Sequence, residues 1–145
     1  MPTPEHFQRL AAMYACAPTN QQYTDLALRI DEGRAVVSLT ATPDLHHVGG
    51  GVHGAHIFKL LDDAAFFAAS SLLAEQFVLT AQFSIQLFRP AVSGRLEATG
   101  RVTKPGRNVV FAEAVLVRPD GKEVARGQGS FAVSRMRLDR VPGYA

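Results

Sequence analysis

From residue 54 to residue 73 the apolar side chains recur at offsets of three and four, and beyond residue 79 they recur at offsets of two. Ile57, Leu60, Leu61, Ala64, Ala65, Ala68 and Leu72 form one stripe along a helix, whereas Ala81, Phe83, Ile85 and Leu87 alternate with Thr80, Gln82, Ser84 and Gln86 as in a half-buried strand. This change of period restricts the fold more than any other feature. A long helix with an apolar stripe must lie on something, and the apolar faces left to receive it belong to strands. Further strand-like runs follow at residues 95–103, 108–118 and 123–134, with Ser93-Gly94, Pro105-Gly106 and Pro119-Asp120-Gly121 as the turns between them. Turns that short join antiparallel neighbours. Upstream, residues 25–30 and 34–41 read as a hairpin around Asp31-Glu32-Gly33, and Phe7, Leu10, Ala11 and Tyr14 predict a short helix over residues 4–17. The expected class is α+β, a long central helix wrapped by a curled antiparallel sheet of five or six strands. Gly127 and Gly129 in the last strand are expected to permit bending or close approach of the helix.

Composition narrows the context. At 145 residues, 47% hydrophobic and 19% charged, the chain has enough apolar surface for one core and lacks the bias of a disordered segment. A single domain over 1–145 is expected, with its core at about 25–134 and a polar tail at 135–145. The net charge of +2 is scattered, without the clustered basic and aromatic residues of a nucleic-acid surface. Cys16 stands alone, which rules out an intrachain disulfide and suits a reducing compartment. Met1-Pro2-Thr3-Pro4-Glu5 lacks the basic start and apolar run of a secretion signal, and the apolar stretches fall short of a membrane span. A cytoplasmic protein with no membrane partner is expected.

The chemistry concentrates where the helix begins. Gly49-Gly50-Gly51-Val52-His53-Gly54-Ala55 runs straight into it. Glycines let the backbone approach a ligand, the first helical N–H groups have no partner within the helix, and the helix dipole is positive there. Such a mouth suits an oxygen that develops negative charge, and a carboxylate beside it would complete an acyl-transfer or hydrolytic site. Asp62 and Asp63 lie on either flank of the apolar stripe, about 140° and 240° round from Ile57, so periodicity does not choose between them. Their neighbours do. Asp63 follows Lys59 by four residues, the spacing of a solvated ion pair, whereas Phe58 and Phe66 bracket Asp62 and should desolvate it and raise its pKa. A carboxylate of that kind either performs acid–base chemistry or hydrogen-bonds a nearby loop. Eight residues at about 1.5 Å each put Asp62 about 12 Å from Gly54, beyond a side chain's reach. If the two act together, a second copy must bring its helix alongside, about a two-fold axis.

His53-Gly54-Ala55, then Asp62 nine positions after the histidine, then Thr80 and Arg89-Pro90-Ala91 resemble the hotdog-fold acyl-CoA thioesterases, and among them the phenylacetate-pathway and human thioesterase-superfamily-member-2 branch. The likeness spans about residues 25–134. It implies that the Gly54 N–H polarises a thioester carbonyl, that Asp62 of the other subunit serves as general base or nucleophile, and that Thr80 assists the carboxylate or the water. His47 stands where an Asn or Gln of the family helps hold the carbonyl or water, and a neutral imidazole donates through one nitrogen only. Ala55 replaces a second glycine and narrows the backbone approach. The resemblance also sets His53, Ala55 and Arg89 beside the substrate, Lys104, Arg107 and Asn108 at a hairpin that meets the phosphates of coenzyme A, and Phe66, with Phe58, Phe83 and Phe88, along an acyl tunnel. It implies an acyl-CoA substrate, a homodimer or dimer of dimers with shared sites, and no metal or redox cofactor. A non-catalytic acyl-CoA binding or sensing protein with the same pocket is the alternative function.

Other motifs carry less. The hydratase signature Asp-x-Asn-Pro-x-His is absent, since Val48 and Gly50 occupy the places of its Asp and Asn. His46, His47, His53 and His56 lack the cysteines or further ligand spacing of a zinc site. No Gly-Lys-Ser/Thr follows the glycines as in a phosphate loop. His53 is expected to brace the loop through a backbone carbonyl, or to meet the substrate.

Overall fold

The computed structural model describes residues 2–145. Thr3 starts the first helix, α1 (Pro4–Cys16), by accepting the His6 N–H on its hydroxyl at 3.1 Å, with proline at the first helical position. A short 3₁₀ segment leads to β1 (Ala27–Asp31) and β2 (Arg34–Ala41), which form the expected hairpin, with Gly33 at φ 73 in its turn. The central helix α2 (Gly54–Ser70) follows, then β3 (Gln76–Leu87), β4 (Gly94–Lys104), β5 (Val109–Val117) and β6 (Glu123–Arg137). All strands pair antiparallel in one sheet, in the order β1-β2-β4-β5-β6-β3. α2 packs against every strand, so the sheet wraps it in the hotdog arrangement. Among the described residues no helix is long and apolar enough to cross a membrane.

The helix sits low because small residues line both sides of the contact. Ala64, Ala65, Ala68 and Ala69 on α2 meet a sheet face carrying Ala98, Ala112, Ala114 and Ala125, all buried. At Gly100 on β4 the helix backbone approaches so closely that an added Cβ would lie 2.2 Å from the Ala64 carbonyl oxygen. Gly127 and Gly129 do something other than admit the helix: Cβ atoms there would each meet the Phe83 ring at 2.6 Å. That ring fills the space they leave and packs edge-on to Phe58.

Several expectations are corrected. β3 and β4 are not neighbours, although the segment between them is short; β3 pairs with β6 at the far end of the sheet. The connection instead crosses to β4, held by Phe88 N–H to Val124 O at 2.8 Å and Val52 N–H to Ala91 O at 2.8 Å. A few extended residues can span three strand spacings, about 14 Å, in a curled sheet. The alternation along β3 is broken by register shifts, one of them between Thr80 and Gln82, leaving Ala81 exposed. α2 ends at Ser70 rather than residue 73 because the Ser71 hydroxyl donates to Ala68 O at 2.6 Å and accepts the Gly33 N–H at 2.7 Å.

Residues 135–145 are no free polar tail: β6 continues to Arg137, and Leu138 and Tyr144 are buried. His6 anchors that end. Its Nε2 donates to Ser70 O at 2.9 Å, so its Nδ1 is left to accept the Tyr144 hydroxyl at 2.7 Å. Burial lowers the His6 pKa below 6.5, partly opposed by the Ser70 hydrogen bond. The neutral ring therefore contributes stability that is present above pH 6.5 and lost as pH falls from there through the folded-state value. Urea melts of the wild type and His6→Gln should differ most near neutral pH and converge in acid; parallel pH profiles would rule the anchor out.

Candidate active site

The helix mouth is built by His53. It is the N-cap of α2, and its ring Nδ1 accepts the Ala55 N–H at 2.9 Å. The His53 carbonyl takes the N–H groups of His56, at 3.0 Å, and Ile57, at 3.5 Å. Of the first four helical amides, Gly54 alone has no acceptor among the described residues. The brace is thus the ring itself accepting from the helix, rather than donating to a loop carbonyl as expected. The His53 amide donates to Leu45 O at 2.9 Å and fixes the loop behind the mouth. A Cβ at Gly54 would have Leu87 as its nearest neighbour, at 3.9 Å, so the space beside its Cα is open within the chain.

His47 folds over the glycine turn. Its Nδ1 accepts the Gly49 N–H at 2.9 Å, which places the ring proton of the neutral form on Nε2, the nitrogen lying beside Gly51. The other histidines are engaged separately, His46 with Val92 O at 2.7 Å and His56 with the Tyr23 hydroxyl at 2.8 Å. Burial lowers the His56 pKa.

Asp62 accepts a hydrogen bond from the Thr80 hydroxyl at 3.0 Å, which joins the middle of α2 to β3. Burial pushes its pKa up to about 6; the Thr80 bond opposes this, the Asp63 charge adds to it and Lys59 lowers it. Asp63 has a different role. Lys59 Nζ at 2.8 Å and the Tyr14 hydroxyl at 2.6 Å both donate to its Oδ2, and both side chains of the ion pair are only 17% exposed. The expected solvated pair is in fact sheltered, with Lys59 Nζ 5.5 Å from the Tyr14 ring centroid and 5.8 Å from that of Tyr23. Burial and the Asp63 charge push the Tyr14 hydroxyl pKa upward, so Tyr14 remains a donor.

Residues 49–125, more than half of the chain, match the family model of the thioesterase superfamily. The chain belongs to this superfamily. Within it, the protein is 31% identical over 104 residues to the acyl-coenzyme A thioesterase PaaI of Escherichia coli, across 70% of this chain and 72% of that one. The structure of the E. coli PaaI protein from the phenylacetic acid degradation operon superposes with a TM-score of 0.84 at 25% identity, covering 94% of this chain and 99% of PaaI. A thioesterase family protein from Silicibacter pomeroyi gives 0.80 at 26% identity, covering 87% and 96%.

In this thioesterase-superfamily chain the remaining expected residues are dispersed. Lys104, Arg107 and Asn108 are exposed at the β4–β5 hairpin, and their side chains make no hydrogen bond among the described residues. Arg89 donates to Glu123 O at 2.9 Å, binding the β3–β4 connection to β6. Ala55 is exposed beside the mouth. Phe66, half-buried, lies one helical turn beyond Asp62 against Phe67, Phe77 and Phe131. Sequence reasoning missed Tyr14 and Tyr23: neither has a local signal, and both reach α2 only because α1 and the segment after it pack beside it.

Proposed function

We propose that the protein hydrolyses acyl-CoA thioesters at a site completed by two copies of the chain. The observation that carries this reading is the partly buried Asp62 carboxyl, bonded to Thr80 and with its pKa raised to about 6, in a thioesterase-superfamily chain whose helix mouth offers the free Gly54 amide. Gly54 and Asp62 lie about 12 Å apart along α2, so each site pairs the amide of one protomer with the carboxyl of its partner. β3 supports this pairing: it is an end strand of 12 residues with one unpaired edge, and its Leu79 and Leu87 are about half exposed. An edge of that kind invites a second strand.

In the reaction, the Gly54 N–H and the positive end of the helix stabilise the negative charge that grows on the thioester oxygen. Asp62 accepts a proton from water as the water oxygen bonds to the carbonyl carbon. The C–S bond then breaks and the proton passes to the departing thiolate, leaving a carboxylic acid and free coenzyme A. The carboxylate can instead attack directly and expel the thiolate, forming an anhydride; where water cleaves it at the Asp62 carbonyl, a single turnover in ¹⁸O-water leaves label in Asp62. Thr80 orients the carboxylate, His47 Nε2–H is an auxiliary donor, and Lys104, Arg107 and Asn108 receive the phosphates. A thiol-release assay across an acyl-CoA panel tests the activity.

The pH profile tests the carboxylate. Both routes need ionised Asp62, so kcat/KM should rise with pH through a midpoint of about 6. Thr80→Ala removes a hydrogen bond that favours the ionised form and should move the midpoint up, while Asp63→Asn removes a repelling charge and should move it down. Full activity, flat from pH 5 to pH 8, would refute the assignment of Asp62.

A further inference from the structure

We infer that Tyr14 and Tyr23 are positioning residues: their rings, with the Tyr14 hydroxyl, hold Lys59 against Asp63 and so leave Asp62 as the one carboxylate of the adjacent pair without a cation partner. That Asp62 then serves as a base rests on the hydrolase reading above; the allotment of Lys59 rests on this cluster alone.

Helix spacing leaves the choice of partner open. Lys59 precedes Asp62 by three residues and Asp63 by four, and both spacings bring side chains together on a helix surface. At about 100° per residue, the lysine lies about 60° round the helix from Asp62 and about 40° from Asp63. A difference that small does not bind a flexible four-carbon side chain to one carboxylate. The decision comes from outside α2. Lys59 Nζ stands 2.8 Å from Asp63 Oδ2, and 5.5 Å and 5.8 Å from the ring centroids of Tyr14 and Tyr23, within reach of their electron-rich faces. The Tyr14 hydroxyl donates to the same Asp63 oxygen at 2.6 Å, which holds the lysine's partner in place.

The two rings are themselves braced. Tyr14 packs edge-on to Phe67 with centroids 4.9 Å apart, and the Tyr23 hydroxyl meets His56 Nδ1 at 2.8 Å. Asp62, one residue away, is bonded to Thr80 and makes no ion pair among the described residues. The groups that bear on its carboxyl are Thr80 from β3, Asp63 and Lys59 on α2, and Tyr14 from α1. The consequence is chemical. A carboxylate paired with an ammonium loses proton affinity and is a poor base, so the same lysine drawn to the other side of the helix would disarm Asp62. Tyr14 and Tyr23 both lie outside residues 49–125, the stretch shared with the family model, so the N-terminal segment supplies this control.

The test follows the Asp62 carboxyl carbon by ¹³C NMR through a pH titration, beside the pH profile of kcat/KM. Loss of a ring frees Lys59 to swing toward Asp62. Tyr14→Leu and Tyr23→Leu should therefore each move the Asp62 midpoint down by about one pH unit and lower kcat about ten-fold or more, with KM within about three-fold. Lys59→Met alone should move the midpoint up, because the lysine charge favours the ionised form. In the Lys59→Met background the tyrosine changes should leave the midpoint where it stands, since no cation remains to be released. A midpoint unmoved by the tyrosine changes, or moved equally with and without Lys59, would overturn the inference; a purely structural role would lower Tm and leave the midpoint in place. If Tyr14→Leu does not fold, Tyr23→Leu, at a half-buried position, decides. If wild-type protein releases thiol from no thioester, the hydrolase reading fails, and the NMR titration still decides which aspartate Lys59 serves.

Discussion

Asp62→Asn protein should lose thioester hydrolysis by about 10³-fold or more and melt at a higher temperature than the wild type at neutral pH. The loss follows from chemistry: an amide oxygen accepts the Thr80 hydrogen bond as the carboxylate does, but it neither takes a proton from water nor attacks a carbonyl. Acyl-CoA affinity should stay within about three-fold, since the carboxyl's shape and partner are kept. The gain in stability follows from the pKa. Asp62 is raised from 3.8 to about 6 chiefly by burial, so its ionised form is disfavoured in the fold. With the folded value above the unfolded one, this cost is absent below about pH 4, grows through the interval, and is complete above about pH 6. The side chain remains partly open to water, and about 1–2 kcal/mol survives screening, a few degrees in Tm. Melts at pH 4 should show the two proteins converging, while melts at pH 7.5 should show the variant ahead. Turnover close to wild type would overturn the catalytic role; loss of turnover together with loss of affinity would make Asp62 a binding group.

Gly100→Ala should be among the most destabilising single-methyl changes in the chain. The added Cβ would lie 2.2 Å from Ala64 O and 2.6 Å from Ala65 N, and both atoms belong to helix backbone that cannot rotate aside. α2 would have to lift from β4, opening gaps around Leu60, Leu61, Ala64 and Ala68, which are fully buried. Overpacking that cannot be relieved by a side chain belongs to the largest mutational effects, about 4 kcal/mol or more, so a fall in Tm of about 10 °C or outright insolubility is expected. Gly54→Ala is the control: the same methyl group meets its nearest neighbour, Leu87, at 3.9 Å, and stability should change by less than about 0.5 kcal/mol. Equal melting temperatures for the two variants would mean that α2 does not seat on the sheet as described.

Periodicity alone determined that this chain has one long central helix and strands to receive it, because burying a stripe or a face requires apolar residues at its repeat. The glycine cluster at the start of the helix singled out His53-Gly54, and the phenylalanines four residues either side of Asp62 set it apart from Asp63 and foretold its raised pKa, because helix neighbours are set by the backbone. What stands beside an element is not written in its period. That β3 pairs with β6 and leaves an open edge, that Thr80 reaches Asp62 from 18 residues away, and that Tyr14 binds Asp63 across 49 residues depended on how the sheet curls and where α1 lands. The free amide at Gly54 was decided in the same way: the His53 ring turns back to take the Ala55 N–H, and the residue it leaves unsatisfied emerges only from that side chain's packed conformation.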